Sequence, residues 1–176
     1  ARTGPRPRMT GPDSWIEADG REYHLNPAFG NIITQRLRPG IGIDDLPDPD
    51  EPFAVDSSEL DAVRSVVARI GATHFVIGRS PVDGSFPFQQ TVGMEEFLVR
   101  MVEDEPFVRR AIEAWTNRSL AYIRALVGAG AHAVMTTDDY CDNRGPIMGP
   151  ALFRKYVLPA VRRQVEEAHR LGAWFI

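Results

Sequence analysis

Cysteine is almost absent from this chain: Cys141 is the single one in 176 residues. One thiol excludes a disulfide framework and agrees with a reducing compartment. No apolar run approaches the roughly 20 residues that a membrane-spanning helix needs, and no signal-peptide pattern opens the chain. A cytoplasmic location is therefore expected, with no membrane partner. A basic excess is also missing. The 20 Lys and Arg stand against 24 Asp and Glu, a net charge of −4 that leaves no electrostatic footprint for nucleic acid. HExxH, Gly-x-Ser-x-Gly and a Ser-His-Asp order do not occur, which removes the chemistries those motifs carry. What is present is 43% hydrophobic residues, enough for one domain with a sizeable core.

Residues 1–12, rich in Pro, Gly and Arg, are expected to be a disordered end, and 13–176 a single α/β domain. Ser14–Ala18 and Arg21–Leu25 flank Asp19-Gly20, a hairpin signal, because a type I′ turn needs positive φ at both central residues. Pro and Gly then punctuate the chain to Pro52, so 13–52 reads as an irregular excursion packed on a larger body.

From residue 53 helices and strands alternate. Ser57 or Ser58 can cap a helix carrying Leu60, Val63, Val66, Val67 and Ile70, which Gly71 stops. Thr73–Gly78 is the first buried-strand candidate. Met94, Phe97, Leu98, Met101 and Val102 keep helical spacing. Asp104 caps a further helix with Pro106 in its first turn, running through Val108, Ile112, Trp115, Leu120, Ile123 and Leu126. Gly128-Ala129-Gly130 precedes a strand rather than following one, so it reads as a helix stop and not as a phosphate loop. His132–Met135 is the next strand. A last helix runs from Gly149-Pro150 to about Leu171, with a kink expected at Pro159. Ala173–Ile176 is the start of another strand.

This order places Asp138 and Asp139 at the carboxyl end of a strand, where open α/β sheets and barrels keep their active sites. Side chains alternate along a strand, so if that geometry persists only one of the pair faces a ligand. That one can orient a substrate or act as general acid or base. The competing use is capping of the loop or helix that follows. Tyr140 and Arg144 share the loop. Arg144 offers a planar donor fork, with a salt bridge to Asp142 or Asp139 as its alternative. Phe86 and Phe88, beside Met94, are candidates to wall an apolar pocket, although core packing is the ordinary use of Met94. Cys141 reads as a free thiol, since a metal site needs spaced partners. His74 and His132 open strands and so belong to the stability face; His24 lies in the hairpin and His169 on the surface of the last helix.

Asp138-Asp139-Tyr140, then Arg144–Pro150, then Leu152-Phe153-Arg154-Lys155-Tyr156-Val157-Leu158-Pro159, resembles the central segment of uroporphyrinogen decarboxylase-like proteins. That superfamily also holds methyltransferases that move methyl groups to and from corrinoids. Gly93–Leu98 and Glu105–Val108 are similar to the helical stretch upstream. Asp13-Ser14-Trp15 and the Pro-rich passage around Leu46 to Pro52 are similar to an inserted region of the broader branch. The resemblance covers 90–176 well and 13–90 loosely. It implies a partial (β/α)8 TIM barrel of about three parallel strands, roughly the third, the fourth and the start of the fifth. The chain is thus expected to be a section of a larger barrel. Its strand edges at Thr73–Gly78 and Ala173–Ile176 are the kind that pair with another chain, and a homo-oligomer is expected.

Three features of true decarboxylases are not matched: an arginine-rich motif near the start, an aspartate on the second strand, and a tyrosine in the loop after the third. Here that loop reads Arg79–Gln90 without tyrosine. The resemblance therefore implies methyl transfer first, to or from a small-molecule substrate. A corrinoid protein would be the partner, and zinc would be bound by a His-x-Cys motif outside this chain. Porphyrinogen decarboxylation, a carboxy-lyase step of porphyrin biosynthesis, is the alternative. A non-catalytic binding or assembly module is the third possibility.

Overall fold

The structure is a computed structural model that describes residues 7–16, 22–26, 31–35, 41–137 and 139–176. It opens with an antiparallel meander: β1 (Arg8–Gly11), β2 (Ser14–Ile16), β3 (Glu22–Asn26) and β4 (Asn31–Gln35), paired in chain order. The pairing of Ser14 with His24 and of Ile16 with Glu22 gives the hairpin expected around Asp19-Gly20. That turn itself lies outside the described residues, as do residues 1–6. Two expectations are corrected here. Composition predicts disorder to residue 12, yet Arg8–Gly11 is an edge strand, its backbone satisfied by β2 and its register broken by an irregularity between Met9 and Gly11. The excursion is expected to be irregular apart from its hairpin, yet β1 and β4 extend that hairpin into a four-stranded sheet, with Trp15 and Tyr23 stacked 5.6 Å apart across the β2–β3 pair.

The α/β part begins with a cap. The Asp56 carboxylate accepts from the Ser58 N–H and hydroxyl, each at 2.9 Å, so Asp56 and not Ser57 or Ser58 starts the turn that feeds α1 (Asp61–Ile70). At the far end Thr73 and His74 N–H groups both donate to the Ile70 carbonyl. Those bonds extend the helix's last turn, so β5 is Ile77–Arg79 and starts later than the apolar run predicts. α2 (Met94–Glu103) and α3 (Glu105–Gly128) follow. Asp104 caps α3 by accepting from the Phe107 N–H at 3.3 Å, with Pro106 in the first turn as expected. Gly130, at φ +96°, releases the chain into β6 (Ala133–Met135).

β7 (Cys141–Asp142) and β8 (Gly145–Pro146) make a small hairpin that the hydrophobic pattern does not announce. The last helix is interrupted: α4 (Gly149–Leu152), a wide π turn over Phe153–Val157, then α5 (Leu158–Arg170). Pro159 has no N–H for the Lys155 carbonyl, and its ring would strike that carbonyl in a regular helix. The widened turn, with the Leu158 N–H reaching the Phe153 carbonyl, absorbs the mismatch, so the expected kink takes the form of a π-bulge. β9 (Trp174–Phe175) completes the described elements.

β5, β6 and β9 form one parallel sheet in that order. Gly78, Val134 and Phe175 are in register and share a face. That face is covered by α3 and α5, where Val134 packs with Leu120, Ile123, Leu126 and Ala168. A Cβ on Gly78 would stand 3.2 Å from Leu126 and Ala131, so the glycine lets the strand lie close to α3. The opposite face carries Ile77, Ala133, Arg79, Met135 and Trp174; Ala133 is buried between its neighbours, but Ile77 is 46% and Trp174 67% exposed. A second core joins Phe86, Phe97, Met101, Phe107 and Val108 to Tyr156 and Val157 of the bulge.

Candidate active site

Both connections leave the parallel sheet at the carboxyl ends of its strands, the edge at which α/β sheets bind ligands. The loop after β5 is anchored from several sides. The Ser80 hydroxyl donates to the Val82 carbonyl at 2.6 Å and accepts from the Val82 N–H at 3.2 Å. Gly84, at φ +90°, passes so near α3 that a Cβ would stand 2.5 Å from the Trp115 carbonyl oxygen, and the Thr116 hydroxyl donates to the Gly84 carbonyl at 3.3 Å. The Thr91 hydroxyl donates to the Pro87 carbonyl at 2.7 Å.

Asp83 sits at the centre of this loop and is 8% exposed. Its Oδ1 accepts from the Ser85 N–H at 2.8 Å and from the Ser85 hydroxyl. Its Oδ2 accepts from the Tyr140 hydroxyl at 3.2 Å, and the Tyr140 and Ser85 hydroxyl oxygens lie 2.6 Å apart. A buried carboxylate is costly without such donors. Here they also tie the loop after β5 to the loop after β6, from residues 57 apart in the chain.

Arg79, Asp83, Gln89, Gln90, Thr137 and Asp139 line one cleft of about 490 Å³ above these strand ends. Arg79 Nη2 donates to the Thr137 hydroxyl at 3.1 Å, bridging from β5 to the end of β6 on the face the helices leave uncovered. The cleft therefore combines one guanidinium, two carboxylates and two side-chain amides. Such a lining holds a polar ligand through directed hydrogen bonds.

Asp139 lines this cleft from a loop position rather than a strand, because β6 ends at Met135. Asp138 lies outside the described residues. Tyr140 is not part of the polar cleft. Its hydroxyl is committed to Asp83 and Ser85, and its ring meets the Phe153 ring edge-on at 5.6 Å. Arg144 is brought to neither: its side chain is 93% exposed at the β7–β8 turn and pairs with Asp142 at 3.6 Å, the salt-bridge alternative. Phe86 and Phe88 are not among the residues that line the polar cleft. Phe86 is 1% exposed and packs against Phe88 at 4.9 Å and Phe97 at 5.5 Å, because the loop folds back onto α3 at Gly84 and turns these rings into the core.

Arg79 and Asp83 escape the sequence reading. Arg79 carries a usable signal, a charged residue closing a strand. Asp83-Gly84-Ser85 reads as an ordinary turn, and only the tertiary fold brings Tyr140 to it. His132 has the structural role expected of it, its Nδ1 accepting from the Val76 N–H at 2.9 Å and its ring stacked on Phe75. Cys141 is a free, exposed thiol. Among the described residues there is no group of three or more His, Cys, Asp or Glu that could hold a metal ion. None of the described helices is long and apolar enough to cross a membrane.

The profile of the uroporphyrinogen decarboxylase (URO-D) family matches residues 17–175. The chain is similar to the uroporphyrinogen decarboxylase of Syntrophotalea carbinolica, 29% identical over 160 residues, which covers 84% of this chain and 43% of that protein. With the enzyme of the same name from Geobacter sp. strain M21 it is 26% identical, over 88% of this chain and 45% of the relative. With that of Pelobacter propionicus it is 30% identical, over 78% and 38%. The chain spans less than half the length of the curated relatives it matches.

Proposed function

The chain belongs to the uroporphyrinogen decarboxylase family, and from that premise we propose that the intact protein is a decarboxylase of a carboxylate-bearing tetrapyrrole. The cleft above β5 and β6 is then part of its active site. The observation that carries this reading is the grouping of Arg79 with Asp83 and Asp139 in one cleft. A guanidinium matches a carboxylate with two parallel donors, so Arg79 takes a carboxylate of the substrate. Loss of carbon dioxide leaves a carbon that must gain a proton, and proton delivery needs an acid within hydrogen-bond reach. Asp139, which is exposed and not tied into the Asp83 network, supplies it. Asp83 holds the two loops in place through Ser85 and Tyr140. In a (β/α)8 barrel these strand ends surround the mouth, and the face with Ile77 and Trp174 is the inside.

Methyl transfer, first in the sequence reading, becomes the second reading. The relatives are decarboxylases by name. The lack of a tyrosine between Arg79 and Gln90 still favours methyl transfer, but Tyr140 brings a phenolic hydroxyl to that same loop. The cytoplasm and a homo-oligomeric state belong to the same proposal.

The test is incubation of the intact protein with uroporphyrinogen, with products oxidised to porphyrins and separated by carboxylate number. Products with fewer carboxylates are expected, and Arg79→Gln or Asp139→Asn lowers kcat/KM by about 100-fold. Methyl transfer from methylcobalamin without carbon dioxide release would reverse the order of the two readings.

A further inference from the structure

Behind Tyr140 lies a groove that the decarboxylase reading does not use. Tyr140, Pro146, Pro150, Phe153 and Leu158 give it apolar walls around about 430 Å³, and Cys141 and Arg154 complete the lining. Two features separate it from ordinary surface. The walls are held in place: the Tyr140 hydroxyl is bonded to Ser85 and Asp83, and the π turn places Phe153 and Arg154 side by side at its start. Arg154 also has no ion pair or hydrogen bond with any described residue, whereas its neighbour Lys155 is held by Glu105 at 2.5 Å.

A guanidinium without a partner among the described residues, beside an aromatic and proline floor, is complementary to one kind of ligand. The floor takes a flat apolar ring, which stacks on or meets the edges of Tyr140 and Phe153. The guanidinium takes an anion with planar bidentate geometry, above all a carboxylate. We propose that this groove is a binding subsite for a carboxylate-bearing aromatic ring system, with its carboxylate on Arg154. The subsite adjoins the polar cleft, because the hydroxyl of the same Tyr140 reaches Asp83 of the cleft lining. A substrate lying across Tyr140 would place one carboxylate on Arg79 and another on Arg154. Only that last step rests on the decarboxylase reading.

Cys141, the chain's single cysteine and part of the lining, reports occupancy of the groove without any assay of activity. The purified protein is alkylated with N-ethylmaleimide and followed by mass spectrometry, with 2-naphthoate as probe and 2-naphthamide as its uncharged twin. Saturating 2-naphthoate slows Cys141 alkylation by about 5-fold or more, and the amide needs roughly 10-fold higher concentration for the same protection, the ratio expected of one charge-assisted contact. Arg154→Gln removes the preference for the acid, and Arg154→Lys retains part of it. Leu158→Asn weakens both probes together. Arg79→Gln leaves protection intact, so loss of decarboxylation in that variant and failure of the groove are distinguishable. No protection by 2-naphthoate, equal protection by acid and amide, or an unchanged preference in Arg154→Gln would overturn the proposal.

Discussion

Removing one hydroxyl, by Tyr140→Phe, tests whether the two loops of the cleft are held together as described. The lost group reaches Asp83 Oδ2 at 3.2 Å and the Ser85 hydroxyl at 2.6 Å. A hydrogen bond to an ionised acceptor contributes about 1.5–3 kcal/mol and a neutral one about 0.5–1.5. The longer of these two contacts is the one to the carboxylate, which puts it at the low end of its range. Ser85 keeps Asp83 as acceptor after the change, so no buried donor is orphaned. The expected loss is therefore about 2 kcal/mol. Asp83→Ala is harsher, because it strips the acceptor from the Ser85 N–H, the Ser85 hydroxyl and Tyr140 at once; the N–H of the fully buried Ser85 is left without a partner, and the Ser85 and Tyr140 hydroxyls keep only each other. About 3–4 kcal/mol is expected there. Urea unfolding followed by tryptophan fluorescence reads both. With a slope of about 2 kcal/mol per molar, Tyr140→Phe lowers the midpoint by about 1 M and Asp83→Ala by about 1.5–2 M. The double variant Tyr140→Phe/Ser85→Ala should show a coupling of about 1 kcal/mol. A midpoint shift under about 0.2 M for Tyr140→Phe would refute the idea that this hydroxyl ties the loops.

Gly84→Ala should cost about 2 kcal/mol more than Gly93→Ala. Both glycines have positive φ, but only at Gly84 does the added Cβ meet backbone, the Trp115 carbonyl carbon and oxygen at 2.6 and 2.5 Å; paired thermal melts that agree for the two variants would contradict this. Acid stability should fall as the Glu167 carboxylate titrates. The hydrogen bond from Arg170, then that from Arg124, holds its pKa at about 2 against an ordinary 4.5. A depressed folded pKa gives stability that is complete above about pH 4.5 and is lost as the pH falls toward 2. Both arginines are more than half exposed, so screening trims the effect to about 1–2 kcal/mol. Glu167→Gln should remove that part of the acid sensitivity, measured as urea midpoints between pH 5 and 2.5.

The parts of the fold governed by short-range pattern are legible in the sequence alone. The spacing of Phe97 and Met101, the Asp104 cap and the Gly130 stop each depend on a few neighbouring residues, and each stands where the pattern puts it. The parallel order of β5, β6 and β9 follows from helices lying between strands. Edge pairing of Arg8–Gly11 was not legible, because polar, Gly-containing strands carry no hydrophobic alternation. The candidate site was half legible. Asp139 follows from its place after a strand, whereas Asp83 depends on Tyr140 arriving from 57 residues away. Aromatic residues in a loop look the same in sequence whether they face a ligand or the core; the backbone turn at Gly84 buries Phe86 and leaves Phe88 partly buried against the same cluster.

The central claim is that a substrate carboxylate binds Arg79 in the cleft at the carboxyl ends of β5 and β6. A crystal structure of the intact protein with bound coproporphyrin tests it most directly. A carboxylate within about 3 Å of the Arg79 guanidinium, with Asp139 beside the same ligand, is the predicted result. A ligand held elsewhere while Arg79 stays on Thr137 and the cleft contains only solvent would contradict it.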